Sequence, residues 1–130
     1  MITVDTSALI AVLRGEADAE SLLIILNDAD AIQMSAATYV EASIVADSTG
    51  DPVLSARFDE LLDQLEVVVV DVTAEQAVRA RRAYSSYGKG SGHSALLNYG
   101  DCFAYALATD TRSPLLFKGN DFGHTDVRSA

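Results

Sequence analysis

The chain has 130 residues, 49% of them hydrophobic, enough for one compact domain (1–130) with its own core. Its single cysteine, Cys102, excludes an internal disulfide, and its apolar runs are far too short to span a bilayer. A cytoplasmic protein with no membrane association is therefore expected. The net charge of −10 argues against an indiscriminate nucleic-acid binder, but it is unevenly placed. Residues 1–75 carry 15 acids against 2 bases, whereas residues 76–130 carry 4 acids against 7 bases. A polyanion would approach the later half.

In chain order, Ile2-Thr3-Val4 reads as a short strand with Asp5 at its carboxyl end. Thr6 or Ser7 then caps a helix over residues 8–13, which Gly15 closes. A second helix covers roughly residues 18–27, and Ala31-Ile32-Gln33-Met34 forms a second strand. It runs into a mostly apolar helix over residues 35–46 whose interior holds one acid, Glu41. Two caps compete there. Thr38 with Glu41 makes a capping box, whereas Ser35 as the cap would put Glu41 inside the second turn.

Asp51-Pro52 is a strong helix start, and Leu54, Phe58, Leu61 and Leu65 give the helix that follows one apolar face. The valine run 67–70 reads as a buried strand. Thr73 with Gln76 makes another capping box, opening a helix that carries Arg79, Arg81 and Arg82 and ends near Gly88. Residues 88–93 form a glycine-rich loop that follows a helix and not a strand, a poor context for a phosphate loop. His93, within that loop, is expected to be exposed.

From Asn98 to Ala108 the pattern is again helical, with Ala104, Leu107 and Ala108 recurring at helical spacing. Cys102 is expected to be a buried thiol. Asp101 opens an otherwise uncharged run that lasts to Asp110. It either offsets the positive end of the helix dipole or belongs to a cluster of carboxylates. Ser113-Pro114 breaks the chain before a short strand, Leu115-Leu116-Phe117. Lys118-Gly119-Asn120-Asp121-Phe122 follows, and then Asp126 ahead of a last apolar segment around Val127.

Short apolar strands alternating with helices predict a parallel α/β sheet, whose ligands bind at the carboxyl ends of the strands. Asp5 and Asp121 lie just past strand ends, and Glu41 and Asp101 lie near helix starts. Four carboxylates on one edge would repel each other unless a hard divalent cation met them. An oxygen-only donor set favours Mg²⁺ or Mn²⁺ over zinc. Two other readings compete. A phospho-receiver or aspartyl phosphatase would place a nucleophilic Asp beside a second acid, but Thr6-Ser7 follows Asp5. A non-catalytic interaction module would use the acids only as caps and solvated charge.

The chain resembles the PIN-domain ribonucleases of the VapC toxin type, from toxin–antitoxin operons. The resemblance rests on Val4-Asp5-Thr6-Ser7-Ala8, on Ser35 through Glu41-Ala42, on Asn98-Tyr99-Gly100-Asp101-Cys102, and on Leu116-Phe117-Lys118-Gly119-Asn120-Asp121-Phe122 with Thr125-Asp126. It implies a three-layer α/β/α fold with a small parallel sheet, a Mg²⁺-dependent endoribonuclease acting on tRNA or rRNA, a homodimer, and a small cognate antitoxin. Carried over, Asp5, Glu41, Asp101 and Asp121 form the catalytic metal site, with Asp126 as a peripheral ligand. Thr6 or Ser7 would hydrogen-bond a ligand or a carboxylate. Lys118, Lys89 and the Arg79–Arg82 group are candidate phosphate contacts. Many relatives have Thr or Ser two residues before the last acid, where this chain has Gly119. Water activated by the metal would cut the phosphodiester and leave a 5′-phosphate.

Overall fold

The computed structural model describes residues 1–130. In chain order the elements are β1 (Ile2–Val4), α1 (Thr6–Leu13), α2 (Ala19–Asp28), β2 (Ile32–Ser35), α3 (Ala36–Asp47), α4 (Pro52–Gln64), β3 (Val68–Val70), α5 (Ala74–Tyr87), α6 (Tyr99–Thr111) and β4 (Leu115–Leu116). A single 3₁₀ turn, Phe122–His124, follows β4. The sheet order is β3-β2-β1-β4, and every pairing is parallel. The expected small parallel sheet flanked by helices is therefore present. None of the helices is long and apolar enough to cross a membrane.

Alternation along the strands sorts side chains onto two faces. Ile2, Val4, Ile32 and Met34 pack with α1 to α4 in one core cluster that also holds Leu9, Leu26 and Phe58. The opposite face meets α6, where a second cluster gathers Ala80 and Ala83 of α5 with Cys102, Ala104 and Ala108 of α6 and with Leu115. Under α6 the strands present polar groups. Gln33 Nε2 donates to Thr3 Oγ1 at 2.9 Å and to Thr111 Oγ1 at 2.8 Å, and Ser113 bonds to Thr3. This network satisfies polar groups that would otherwise be costly beneath a helix.

Three local expectations are corrected. The valine run 67–70 is not buried. β3 is the sheet's edge, paired only to β2, and Val68 and Val69 are 59% and 44% exposed. A β-branched run reports strand propensity, whereas burial depends on the strand's place in the sheet. Thr73 caps α5 through Gln76 N–H, but Gln76 does not fold back to complete the box: its amide donates to Asp110 Oδ2 at 3.2 Å. His93 is half-buried, accepting from Ala95 N–H at 3.0 Å and standing edge-on to Tyr87.

A fourth correction concerns α1: neither Thr6 nor Ser7 is its cap, because Asp5 takes that place by accepting from Ser7 N–H. The other helix starts follow the sequence. Asp51 caps α4 ahead of Pro52. Ser35 caps α3 by accepting from Ala37 N–H at 3.2 Å, so Glu41 lies within the helix and not at its N3 position. The winding direction of the chain reverses between β1 and β4, and in parallel sheets ligands bind at the carboxyl ends beside such a reversal. Asp5 directly follows β1 and Asp121 lies in the loop after β4.

Candidate active site

Asp5 is the N-cap of α1, with one carboxylate oxygen, Oδ2, accepting from Ser7 N–H at 3.0 Å and from Ser7 Oγ–H at 2.7 Å. The residue is 2% exposed, and its other oxygen, Oδ1, is buried without a hydrogen-bond partner. Burial pushes its pKa up to about 7; the two Ser7 bonds pull against this, and the charges of Asp101 and Glu41 add to it. An acid with one idle buried oxygen stores free energy that a cation could release.

Asp101 sits at the N3 position of α6 and completes a capping box with Asn98. Asp101 N–H donates to Asn98 Oδ1 at 2.8 Å, and Asn98 N–H donates to Asp101 Oδ2 at 2.9 Å. Asp101 thus supports the start of its helix, and the charges of Asp121 and Glu41 also act on it. Burial raises its pKa to about 6; repulsion from Asp121 and Glu41 adds to this, while the Asn98 bond and the field of Lys89 oppose it.

Glu41 reaches from α3 to accept from Thr6 Oγ–H at 2.6 Å. Its carboxylate lies against the first turn of α6, where a Cβ on Gly100 would come within 1.8 Å of Glu41 Oε2. Only glycine leaves room for that approach. Asp121 is exposed at the start of the 3₁₀ turn and makes no capping bond. Its loop is tied to α1 by Lys118 N–H, which donates to Ser7 Oγ at 2.9 Å. Ser7 thus links Asp5 to the segment that carries Asp121.

Asp5, Glu41, Asp101 and Asp121 are thus joined by mutual repulsion through Asp5 and Asp101. No three His, Cys, Asp or Glu side chains are drawn tightly enough together to form a preorganised cation site. Mutual repulsion opposes closer approach. The donor chemistry nevertheless fits a hard divalent cation, being carboxylate oxygen throughout. Asp126 is placed elsewhere. It accepts from Tyr105 Oη–H at 2.5 Å and lines a separate groove with Arg79, Arg82 and Thr109.

The basic candidates divide. Lys118 is occupied, with Nζ 2.6 Å from Glu16 and 3.3 Å from Asp18, and Arg79 faces Asp110 at 3.4 Å. Arg81, Arg82 and Lys89 make no ion pair. Thr6 and Ser7 each donate to a carboxylate, as the resemblance implied, whereas Asn98 and Gly100 are the site residues that the motif pattern left without assigned roles. Asn98 was legible as an N-cap, because it stands three residues before an acid. The constraint on Gly100 had no local signal, since it comes from Glu41, far away in sequence.

With this geometry in place, comparison with known proteins defines the class. The PIN domain family model matches residues 2–128, and the chain belongs to the PIN-domain ribonucleases of the VapC type. It is 57% identical over 127 residues to the ribonuclease VapC28 of Mycobacterium tuberculosis, covering 98% of this chain and 96% of that one. Among solved structures, M. tuberculosis VapC20, a sarcin–ricin loop cleaving toxin, superposes with TM-score 0.79 at 14% identity, over 100% of this chain and 98% of that one. A toxin–antitoxin complex from Klebsiella pneumoniae gives TM-score 0.73 at 19% identity, over 97% and 93%.

Proposed function

We propose that this protein is a Mg²⁺- or Mn²⁺-dependent endoribonuclease, the toxin of a toxin–antitoxin pair, with Asp5, Glu41, Asp101 and Asp121 as its catalytic metal-binding acids. The observation that carries this reading is the buried Asp5, whose Oδ1 has no hydrogen-bond partner and whose pKa is raised beside Glu41 and Asp101. A divalent cation held there would supply Lewis-acid stabilisation of the scissile phosphate and a nucleophilic water.

The chain's own residues arrange that chemistry. Ser7 holds Oδ2 of Asp5 and leaves Oδ1 free, Thr6 fixes Glu41, and Asn98 fixes Asp101. No protein nucleophile is required, and Cys102 is unsuited to be one: burial pushes its thiol up to about 11. Asp126, bound to Tyr105, is at most a peripheral ligand. The homodimer, the RNA substrate and a small cognate antitoxin belong to the same reading, and the likeness to a toxin–antitoxin complex supports the antitoxin.

The test is cleavage of purified tRNA and rRNA by the isolated protein, with Mg²⁺ and with EDTA. Cleavage that needs Mg²⁺ and disappears in Asp5→Asn supports the reading. Equal cleavage by wild type and Asp5→Asn would sink it.

A further inference from the structure

The active-site acids account for one side of the first turn of α6, and its other side is unexplained. Tyr99, at the first position of α6, is 77% exposed and does not stand alone. It stands edge-on to Phe103, with ring centroids 4.9 Å apart. Both rings line a groove of about 180 Å³ between α5 and α6. Buried Ala80 and Cys102 form its floor, and exposed Tyr84 and Arg81 complete its lining. Tyr84 is 44% exposed, and Arg81 makes no ion pair.

This groove adjoins the acidic site. Gly100, which touches Glu41, and Asp101 directly follow Tyr99. A strand whose phosphate sits at the acids and which crosses the N-terminal end of α6 would bring its next bases to Tyr99. The floor is apolar, and the lining adds aromatic rings and an unpaired guanidinium. That combination matches a nucleobase with its phosphate: aromatic rings stack on the base, and arginine meets the backbone. Residues 76–130 are also the basic half of the chain.

We propose that the groove between α5 and α6 is a base-stacking subsite that seats one unpaired base of a single-stranded RNA next to the bond to be cut. This proposal rests on the nuclease reading and adds to it a seat for one base of the substrate. Tyr99 and Tyr84 supply the stacking surfaces, and Arg81 holds the phosphate that follows.

The experiment compares binding of a short oligouridylate with binding of an abasic strand of equal length and charge, by fluorescence anisotropy in EDTA to prevent turnover. Wild type should prefer the oligouridylate by about tenfold, the low end of what one base–aromatic stack contributes. Tyr99→Ala and Tyr84→Ala should each largely remove that preference while leaving abasic-strand binding unchanged. Tyr99→Phe, which keeps the ring, should retain it. Thermal melts and sedimentation of each variant accompany the titrations. A wild type that binds both strands equally, or a Tyr99→Ala variant that keeps the full preference, overturns the subsite. So does a preference lost only together with self-association, which would make the groove a contact between copies of the chain. Mg²⁺-dependent cleavage without any preference for bases would defeat the subsite alone. A preference without any cleavage would keep the subsite and defeat the nuclease reading.

Discussion

Two acidic groups in this molecule are built from the same side chains and treated oppositely. Glu16 and Asp18, in the turn between α1 and α2, are met by Lys118 at 2.6 and 3.3 Å. Asp5, Glu41, Asp101 and Asp121, at the carboxyl edge of the sheet, have no cationic side chain in contact; Lys89 acts on Asp101 only through its field. The first group is partly exposed and shares one lysine, which offsets much of its charge. The second keeps two acids with raised pKa values, at about 7 and about 6. Folding would not retain such repulsion for stability alone, and carboxylates with perturbed pKa values cluster at functional sites.

The sharpest way to break this comparison is to remove one charge from each group. Asp5→Asn or Asp101→Asn should lower Mg²⁺-dependent RNA cleavage by about a thousandfold, the several kcal/mol attributed to metal-assisted charge stabilisation. Glu16→Gln should leave cleavage close to wild type. Single-turnover assays on matched protein preparations measure both. Comparable losses in all three variants would mean that the two groups do not differ in kind.

Much of the distinction was legible in the sequence, because strand ends and helix starts can be read from periodicity and caps. Asp5 after Ile2-Thr3-Val4 and Asp101 after Asn98 are examples. What stayed hidden depends on which elements become neighbours. Nothing near Lys118 shows that it folds onto Glu16, about a hundred residues earlier, and so is unavailable to phosphate. Asp126 follows the last motif closely, yet Tyr105 of α6 captures it. The valine run 67–70 has the composition of a central strand and lies at the edge, because sheet order follows from crossovers and not from strand composition.

The next test is pH. The Asp5 pKa is raised on folding from 3.8 to about 7, so between those values the folded state binds more protons than the unfolded one. Stability contributed by the protonated acid is complete below pH ~4 and is lost as pH rises through about 7, by roughly 4 kcal/mol at most. Metal-free wild type should therefore lose more stability than Asp5→Asn between pH 5 and pH 8. Mg²⁺ should restore the wild type at the higher pH and act much less on the variant. Thermal melts of both proteins, with EDTA and with Mg²⁺, measure this. Parallel pH profiles would show that Asp5 is not held at a cost.

A smaller effect is expected at Gly100. A methyl group there meets Glu41 Oε2 at 1.8 Å, so Gly100→Ala must displace the carboxylate or the turn. Overpacking of this kind costs about 1–3 kcal/mol. Cleavage should fall with stability. Adding Glu41→Ala should recover the melting temperature but not the activity, because the clash and the catalytic acid are removed together. If the double variant melts no higher than Gly100→Ala, Glu41 is not what the new methyl meets.

The smallest effect belongs to the lysine-paired group, and it tests whether that group assists the other. Lys118 bonds Glu16 and Asp18 through its side chain and Ser7 through its backbone, and Asp121 lies three residues further on. Lys118→Gln should lower the melting temperature only slightly, since exposed ion pairs contribute little, and the difference should shrink at high salt. Activity should respond more than stability. Loosening the loop moves Asp121 relative to Asp101, and small misplacements of a catalytic group reduce turnover disproportionately. The expected result is a severalfold drop in cleavage with RNA affinity unchanged, because Lys118 is already paired and is not a phosphate contact. A fall in affinity, accompanied by a shallower dependence of binding on salt, would instead return Lys118 to the RNA-binding surface.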